Sequence, residues 1–305
     1  MQTTNVASQP LDKSWNPTIT AALITVLWTT SAHCDAPAQS VRLWSGHAPG
    51  ETSAELGTQL DKGDSITRIK NTTAPTLDVF LAEHPNGTAV VVLPGGGFGY
   101  VVTDLEGSEA AAFLNAMGVS VFVLRYRTGD NQRDNVWQKP VQDAQRAIRT
   151  IRANASKWSI DQDRVGVLGF SAGGQASAFL LTAKEAMYES TDPIDENLWC
   201  PNFGTLVYPW RLLNESGRLK HGIEVTESTP KTIIIHTHDD PAADSLGSVA
   251  FDTKLKKHNV DAELHIYRTG GHGYGLRRRE DSVIDQWPAI VSDWLRLQGL
   301  ASASK

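Results

Sequence analysis

Cysteine is almost missing from this chain: Cys34 and Cys200 are the only two among 305 residues. A disulfide framework is thereby excluded, as is a cysteine-based metal site. Positive charge is not in surplus either, with 28 Lys and Arg against 34 Asp and Glu and a net charge of −6. Phosphate backbones require a concentrated positive surface, so no nucleic-acid partner is expected. The one basic run, Arg277-Arg278-Arg279, is too short to reverse that. No apolar stretch reaches the roughly 20 residues of a spanning helix, and no stable membrane anchor is expected. What remains is 40% hydrophobic and 20% charged, an ordinary globular composition.

The first residues read as a targeting segment. Residues 1–17 are polar with one basic side chain, Lys13; an apolar stretch runs from Ile19 to Trp28, and small residues follow at Thr30, Ser31 and Ala32. That is the pattern of a secretory signal cleaved between Ala32 and Ala38, and it predicts a secreted or periplasmic protein. The competing reading is a disordered leader or a loosely docked helix. Cleavage ahead of Cys34 would leave the two cysteines available for one bridge. The expected division is a leader over 1–36 and a single domain over 37–305.

From residue 88 onward, short apolar runs alternate with helical patterns. Ala89–Leu93, Val119–Leu124, Arg164–Leu168, Thr205–Tyr208, Thr232–Ile235 and Ala262–Tyr267 read as strands. The runs are continuous rather than alternating, as strands covered on both faces require. Helices are expected over Ser108–Met117, from Pro140, from Ala172, over Asp244–Lys257 and over Val283–Leu297. This alternation predicts an α/β fold with a mostly parallel, doubly wound sheet and helices on both faces. Val41–Trp44, Ile66–Ile69 and Leu77–Leu81 are expected to supply antiparallel edge strands before it. The irregular stretch 185–230 is expected to cover the carboxyl ends of the strands, where open α/β sheets bind ligands.

Two glycine-rich turns carry the chemistry. The strand ending at Leu168 runs into Gly169-Phe170-Ser171-Ala172-Gly173-Gly174, a G-x-S-x-G turn that opens a helix. Such a turn exposes the serine as a nucleophile and aims a helix N-terminus at a developing oxyanion. The second, Pro94-Gly95-Gly96-Gly97, follows Ala89–Leu93. Its Gly96 and Gly97 are the candidate oxyanion donors, together with the N–H of Ala172. It lacks the Gly-Lys-Ser/Thr ending of a phosphate loop and the third glycine of a dinucleotide fingerprint.

An acid and a base follow in the order Ser, Asp, His. His272 lies in Gly270-Gly271-His272-Gly273, and the acid comes from His236-Thr237-His238-Asp239-Asp240-Pro241. Asp240 is preferred, Asp239 being the residue that would orient the loop, with Asp244 third. His236-x-His238-x-Asp240 also matches part of a metal motif, but Pro241 stands where the last ligand belongs, and no metal is expected. Phe98, Tyr100, Trp199 and Trp210 are candidate stacking faces for a substrate, each set against a plain packing role.

Together LPGGGFG at 93–99, Asp104-Leu105-Glu106-Gly107, FVLRYR at 122–127, QDAQRAIRTIR at 142–152, GFSAGG, the DDP of 239–241 and GGHGYGL at 270–276 resemble one family. It is that of the small secreted bacterial α/β-hydrolases described as acetylxylan-esterase-like or lipase/esterase-like, and the resemblance covers residues 86–298. It implies the α/β-hydrolase fold and a serine carboxylic-ester hydrolase without a cofactor. The substrates it implies are short acyl esters, often acetyl groups on plant polysaccharide. It implies Asp240, the second acid of the DDP stretch, as the triad acid. Pro94 stands where related lipases often carry histidine, which fits the esterase branch. A serine exopeptidase or amidase, or a lipase, on the same fold is the alternative.

Overall fold

A computed structural model describes residues 36–129, 135–280 and 282–302. Residues 1–35 of the expected signal segment, Cys34 among them, lie outside these. The chain opens with strands β1 (Gln39–Arg42), β2 (Leu56–Gln59), β3 (Arg68–Thr72), β4 (Thr76–Phe80) and β5 (Ala89–Leu93). After β6 (Tyr100–Val102) and a π-helical turn at Asp104–Ser108 come α1 (Glu109–Asn115) and β7 (Ser120–Arg125). Then follow α2 (Gln138–Ala153), α3 (Ala155–Trp158), β8 (Val165–Phe170), α4 (Ala172–Thr182) and β9 (Phe203–Val207). The last elements are β10 (Lys231–Thr237), α5 (Leu246–Lys257), β11 (Ala262–Tyr267) and α6 (Trp287–Leu297).

The main sheet has the order β1-β4-β7-β5-β8-β9-β10-β11. From β7 to β11 every pairing is parallel, while β4 runs antiparallel to both β1 and β7. Side chains alternate across a strand, so an unbroken apolar run feeds two cores at once. Val90, Val92, Val121 and Val123 pack with Leu114 of α1 and with Trp287, Val291 and Trp294 of α6. Val91, Leu93, Phe122 and Leu124 serve the opposite core, with Val141, Ala144 and Ile148 of α2, Phe179 of α4 and Phe251 of α5. Each fully buried Val, Leu, Ile or Phe among them contributes roughly 1.5–3 kcal/mol. This is the doubly wound α/β-hydrolase fold.

Two expectations are corrected. The strand near Ile66–Ile69 does not join the main sheet; β3 pairs with β2 and β6 in a separate three-stranded antiparallel sheet. Its partner β6 lies just beyond the glycine loop after β5, with Val101 and Val102 buried, so this small sheet braces that loop. The expected cover over the strand ends is not the whole of 185–230: Trp210 lines a cleft beside Ser171 there, whereas the segment from Asp192 to Asn202 lies elsewhere. It is pinned along α2 by three arginines at helical spacing, which turn one face toward it.

That arginine ladder is buried. Arg146 donates through Nε to the Leu43 carbonyl at 2.9 Å and pairs with Asp195 at 2.8 Å. Arg149 reaches the Asn197 carbonyl at 3.0 Å, and Arg152 donates to the carbonyls of Leu198 and Cys200. Burial alone would raise the Asp195 carboxyl. Donors from Tyr188, the Thr191 N–H and Arg146 outweigh that and bring its pKa from the usual 3.8 to about 2. The resulting stabilisation is complete above the unfolded value and is lost as pH falls through about 2. Arg146→Ala leaves that carboxylate under-compensated and is expected to cost about 3 kcal/mol at neutral pH, read from denaturant unfolding. A loss below about 1 kcal/mol would refute the anchoring role.

Candidate active site

The chain leaves β5 toward α1 on one face of the sheet and leaves β8 toward α4 on the other. The crevice between the carboxyl ends of these neighbouring strands is where such sheets bind ligands. Loops from β5, β8, β9, β10 and β11 all end there, and they deliver Gly96 and Gly97, Ser171, Trp210, Asp240 and His272.

Ser171 sits between β8 and α4 with φ 51° and ψ −116°, a conformation side-chain-bearing residues rarely adopt. Its N–H donates to the Val207 carbonyl at 3.1 Å, and its own carbonyl accepts from Trp210 N–H at 2.9 Å. The flanking glycines are obligatory for steric reasons. A Cβ on Gly169 would lie 2.4 Å from the Gly173 carbonyl, and one on Gly173 would lie 2.0 Å from the Leu93 carbonyl. The helix is therefore seated directly on the β5 loop.

Ser171 Oγ lies 2.8 Å from His272 Nε2, and His272 Nδ1 lies 2.7 Å from Asp240 Oδ2. The other carboxylate oxygen of Asp240 accepts the N–H groups of Ala242 and Ala243, each at 2.8 Å. Asp240 is further cradled by His236, whose Nε2 is 3.4 Å from Oδ2. His236 is fully buried; Nε2 donates to the Ala243 carbonyl at 3.0 Å, which leaves Nδ1 to accept from Ser248 Oγ at 2.7 Å. Burial would raise the Asp240 carboxyl, but hydrogen bonds from His236, His272 and Ala243 prevail and hold it far below the usual range. It is an anion beneath the His272 ring, oriented to accept the Nδ1 proton.

Asp239 faces elsewhere. It accepts from Gly271 N–H at 2.9 Å and Gly270 N–H at 3.3 Å, and these bonds hold its carboxyl low. It orients the histidine loop without touching the ring, while the Asp244 carboxylate accepts from Leu246 N–H at 2.9 Å. The histidines of the metal motif are separated in role: His236 supports Asp240, and His238 is exposed. Among the described residues no cluster of His, Cys, Asp or Glu could hold a metal ion.

The serine opens into a cleft of about 440 Å³ lined by Arg68, Gly96, Gly97, Tyr100, Glu106, Trp210 and Gly273 among others. Gly96 has φ 129°, and a Cβ there would strike the Tyr100 carbonyl at 2.1 Å. No acceptor takes the N–H of Gly96 or Gly97 among the described residues, so both remain available to a ligand oxygen. The Ala172 N–H belongs to the first turn of α4, whose amides have no intrahelical acceptor. Gly95 is different, because its N–H is already bound to Glu106 at 2.6 Å.

Of the aromatic candidates, Tyr100 and Trp210 line the cleft. Lys62 lies over the Tyr100 ring at 4.5 Å and donates to its hydroxyl, and Arg211 lies over Trp210 at 4.3 Å. Phe98 is a correction: it is only 2% exposed, packed against Tyr126 and Trp210, and does not line this cleft. Trp199 packs against the α2 side of the core. Tyr208 has no sequence signal for a role in the site, Glu106 shows only as part of the Asp104–Gly107 motif, and His236 only as part of the metal pattern.

Comparison with known proteins agrees with this architecture. The BD-FAE family model matches residues 77–198. Over 221 residues the chain is 30% identical to an acetylxylan esterase of Xylanibacter ruminicola, covering 65% of this chain and 43% of that protein. It is 26% identical over 220 residues to endo-1,4-beta-xylanase B of Butyrivibrio fibrisolvens, covering 65% and 34%. The chain thus spans less than half the length of these curated relatives. Among solved structures, an acetyl ester-xyloside bifunctional hydrolase from Caldicellulosiruptor lactoaceticus superposes with a TM-score of 0.69 at 27% identity. That likeness covers 88% of this chain and 98% of the other. With its sheet order and serine turn the chain has the α/β-hydrolase fold, and in sequence it is similar to these esterases and hydrolases.

Proposed function

We propose that this protein is a serine esterase that removes short acyl groups, acetyl foremost, from carbohydrate through an acyl-Ser171 intermediate. The observation that carries the reading is the continuous line from Ser171 Oγ through His272 to Asp240 beside free amides of the oxyanion loop. In it, His272 Nε2 takes the Ser171 proton as the oxygen attacks the ester carbonyl. The N–H groups of Gly96, Gly97 and Ala172 receive the charge that develops on the carbonyl oxygen. His272 then returns the proton to the departing alcohol. Water, activated by the same nitrogen, hydrolyses the acyl-serine to the free acid. Asp240 keeps the Nδ1 proton in place and stabilises the imidazolium at both stages. The relatives that act on acetylated xylan or xylosides support the choice of acyl group and alcohol.

The test is a panel of p-nitrophenyl esters of increasing chain length, run beside acetylated xylan and a glycerolipid. The expected result is highest kcat/KM on the acetate, a fall of about tenfold or more by the octanoate, and acetate release from xylan. Preference for long chains or for the glycerolipid would replace this reading with a lipase.

A further inference from the structure

The triad leaves a second buried carboxyl unused. Glu106 is 3% exposed and lies against the cleft, on the π-helical turn that follows β6. Its Oε2 accepts the Gly95 N–H at 2.6 Å, so it grips the glycine loop one residue before the free amides of Gly96 and Gly97. Its Oε1 accepts the hydroxyl of Tyr208 at 2.8 Å. That hydroxyl in turn accepts the N–H of Gly275 at 3.1 Å, three residues past His272. The Tyr208 ring also lies 4.9 Å from the His272 ring.

A continuous chain therefore runs from the histidine loop through Tyr208 and Glu106 to the oxyanion loop. Both side chains are buried, and both take strained or unusual backbone, with Tyr208 at φ 38° just after β9. Burial raises the Glu106 carboxyl from its usual value, against the lowering effect of its two donors. A hydrophobic residue would fill this space as well, yet would leave the Gly95 N–H without an acceptor. The feature is thus not explained by packing.

We infer that Glu106 and Tyr208 are a pair of positioning residues that fix the spacing between the oxyanion amides and His272. The inference deepens the esterase reading of the same site and rests on it for its kinetic arm. The spacing matters because the carbonyl oxygen and the serine proton must be received at once, and an ångström of misplacement costs rate rather than binding. The chain acts through other groups: Glu106 meets Gly95, and Tyr208 meets Gly275, while the reacting atoms belong to the neighbouring residues.

Glu106→Gln and Tyr208→Phe each break the relay with little change of shape. The first substitutes a donor for one acceptor oxygen, and the second removes the hydroxyl while keeping the ring on His272. Each is expected to lower kcat on p-nitrophenyl acetate by about 10- to 100-fold with KM within about threefold. The double variant is expected to cost no more than the worse single, because one chain is broken either way. Independently of turnover, amide hydrogen exchange is expected to rise in both 94–99 and 270–276 in either variant. Losses that multiply in the double variant, unchanged kcat, or faster exchange confined to the loop beside the substitution would overturn the inference. Should the parent protein hydrolyse no ester, the esterase reading fails, and the exchange across the two loops alone decides the brace.

Discussion

Ser171→Ala is expected to lower kcat on p-nitrophenyl acetate by roughly 10⁴- to 10⁶-fold while the protein stays folded. The oxyanion amides and the cleft survive the change, so a small residual rate over water should persist. Stability should move by less than about 1 kcal/mol, because the lost hydroxyl bonds only His272, itself partly exposed. Ser171→Gly separates the chemistry from the strain. At φ 51° and ψ −116° a side chain is costly and glycine is not, so this variant should be as inactive as alanine yet more stable by about 1 kcal/mol. Both effects are read from steady-state kinetics, labelling by a fluorophosphonate, and thermal unfolding. A turnover-competent Ser171→Ala protein would remove the serine mechanism altogether.

The parts of this architecture visible in the amino-acid sequence are those set by local pattern. AVVVL at 89–93 and VGVLGF at 165–170 have nowhere to go but a sheet covered on both sides, and each is buried at every position. The α6 stripe of Trp287, Val291 and Trp294 likewise announces its own burial. By contrast β2 (LGTQ) and β6 (YVV) are four and three residues long, and β2 is largely exposed. Such strands are specified by pairing with β3 rather than by their own composition. The three arginines of α2 carry no local sign of burial either, since charged residues at this spacing ordinarily face solvent. Their acceptors lie 46 to 49 residues downstream for the Asp195, Asn197, Leu198 and Cys200 contacts.

The same division holds within the site. Ser171, Gly96, Gly97 and His272 stand in turns whose glycines mark them. Glu106 and Tyr208 have no such marker, because their meaning comes from each other across 102 residues of chain. His236 was visible only as half of a metal pattern, whereas its environment turns both ring nitrogens to protein partners. The Phe98 expectation failed for a related reason: an aromatic residue beside a glycine loop is equally suited to closing the core beneath it, and burial decides between the two.

The adjacent acids provide the sharpest separation of roles, since Asp239 and Asp240 are indistinguishable in type and differ only in direction. Asp240→Asn is expected to reduce kcat by about 10⁴-fold with little change in KM. An amide there retains the bonds from Ala242 and Ala243 N–H through its oxygen, which leaves its NH₂ group facing His272 Nδ1. That forces the proton onto Nε2, the nitrogen that must be bare to receive the serine proton. Asp239→Asn should remain within about tenfold of the parent, because an amide oxygen still accepts from Gly271 N–H. The comparison is made with both variants at a single pH near neutrality, on the same acetate ester. If Asp239→Asn proved the more damaging of the two, the acid would have to be reassigned, and the His236 cradle around Asp240 would stand without a function. The cradle itself predicts the order: the Asp240 carboxylate accepts from Ala242, Ala243 and His272 with His236 Nε2 3.4 Å away, whereas Asp239 meets the backbone of the loop it steers and the Thr237 side chain.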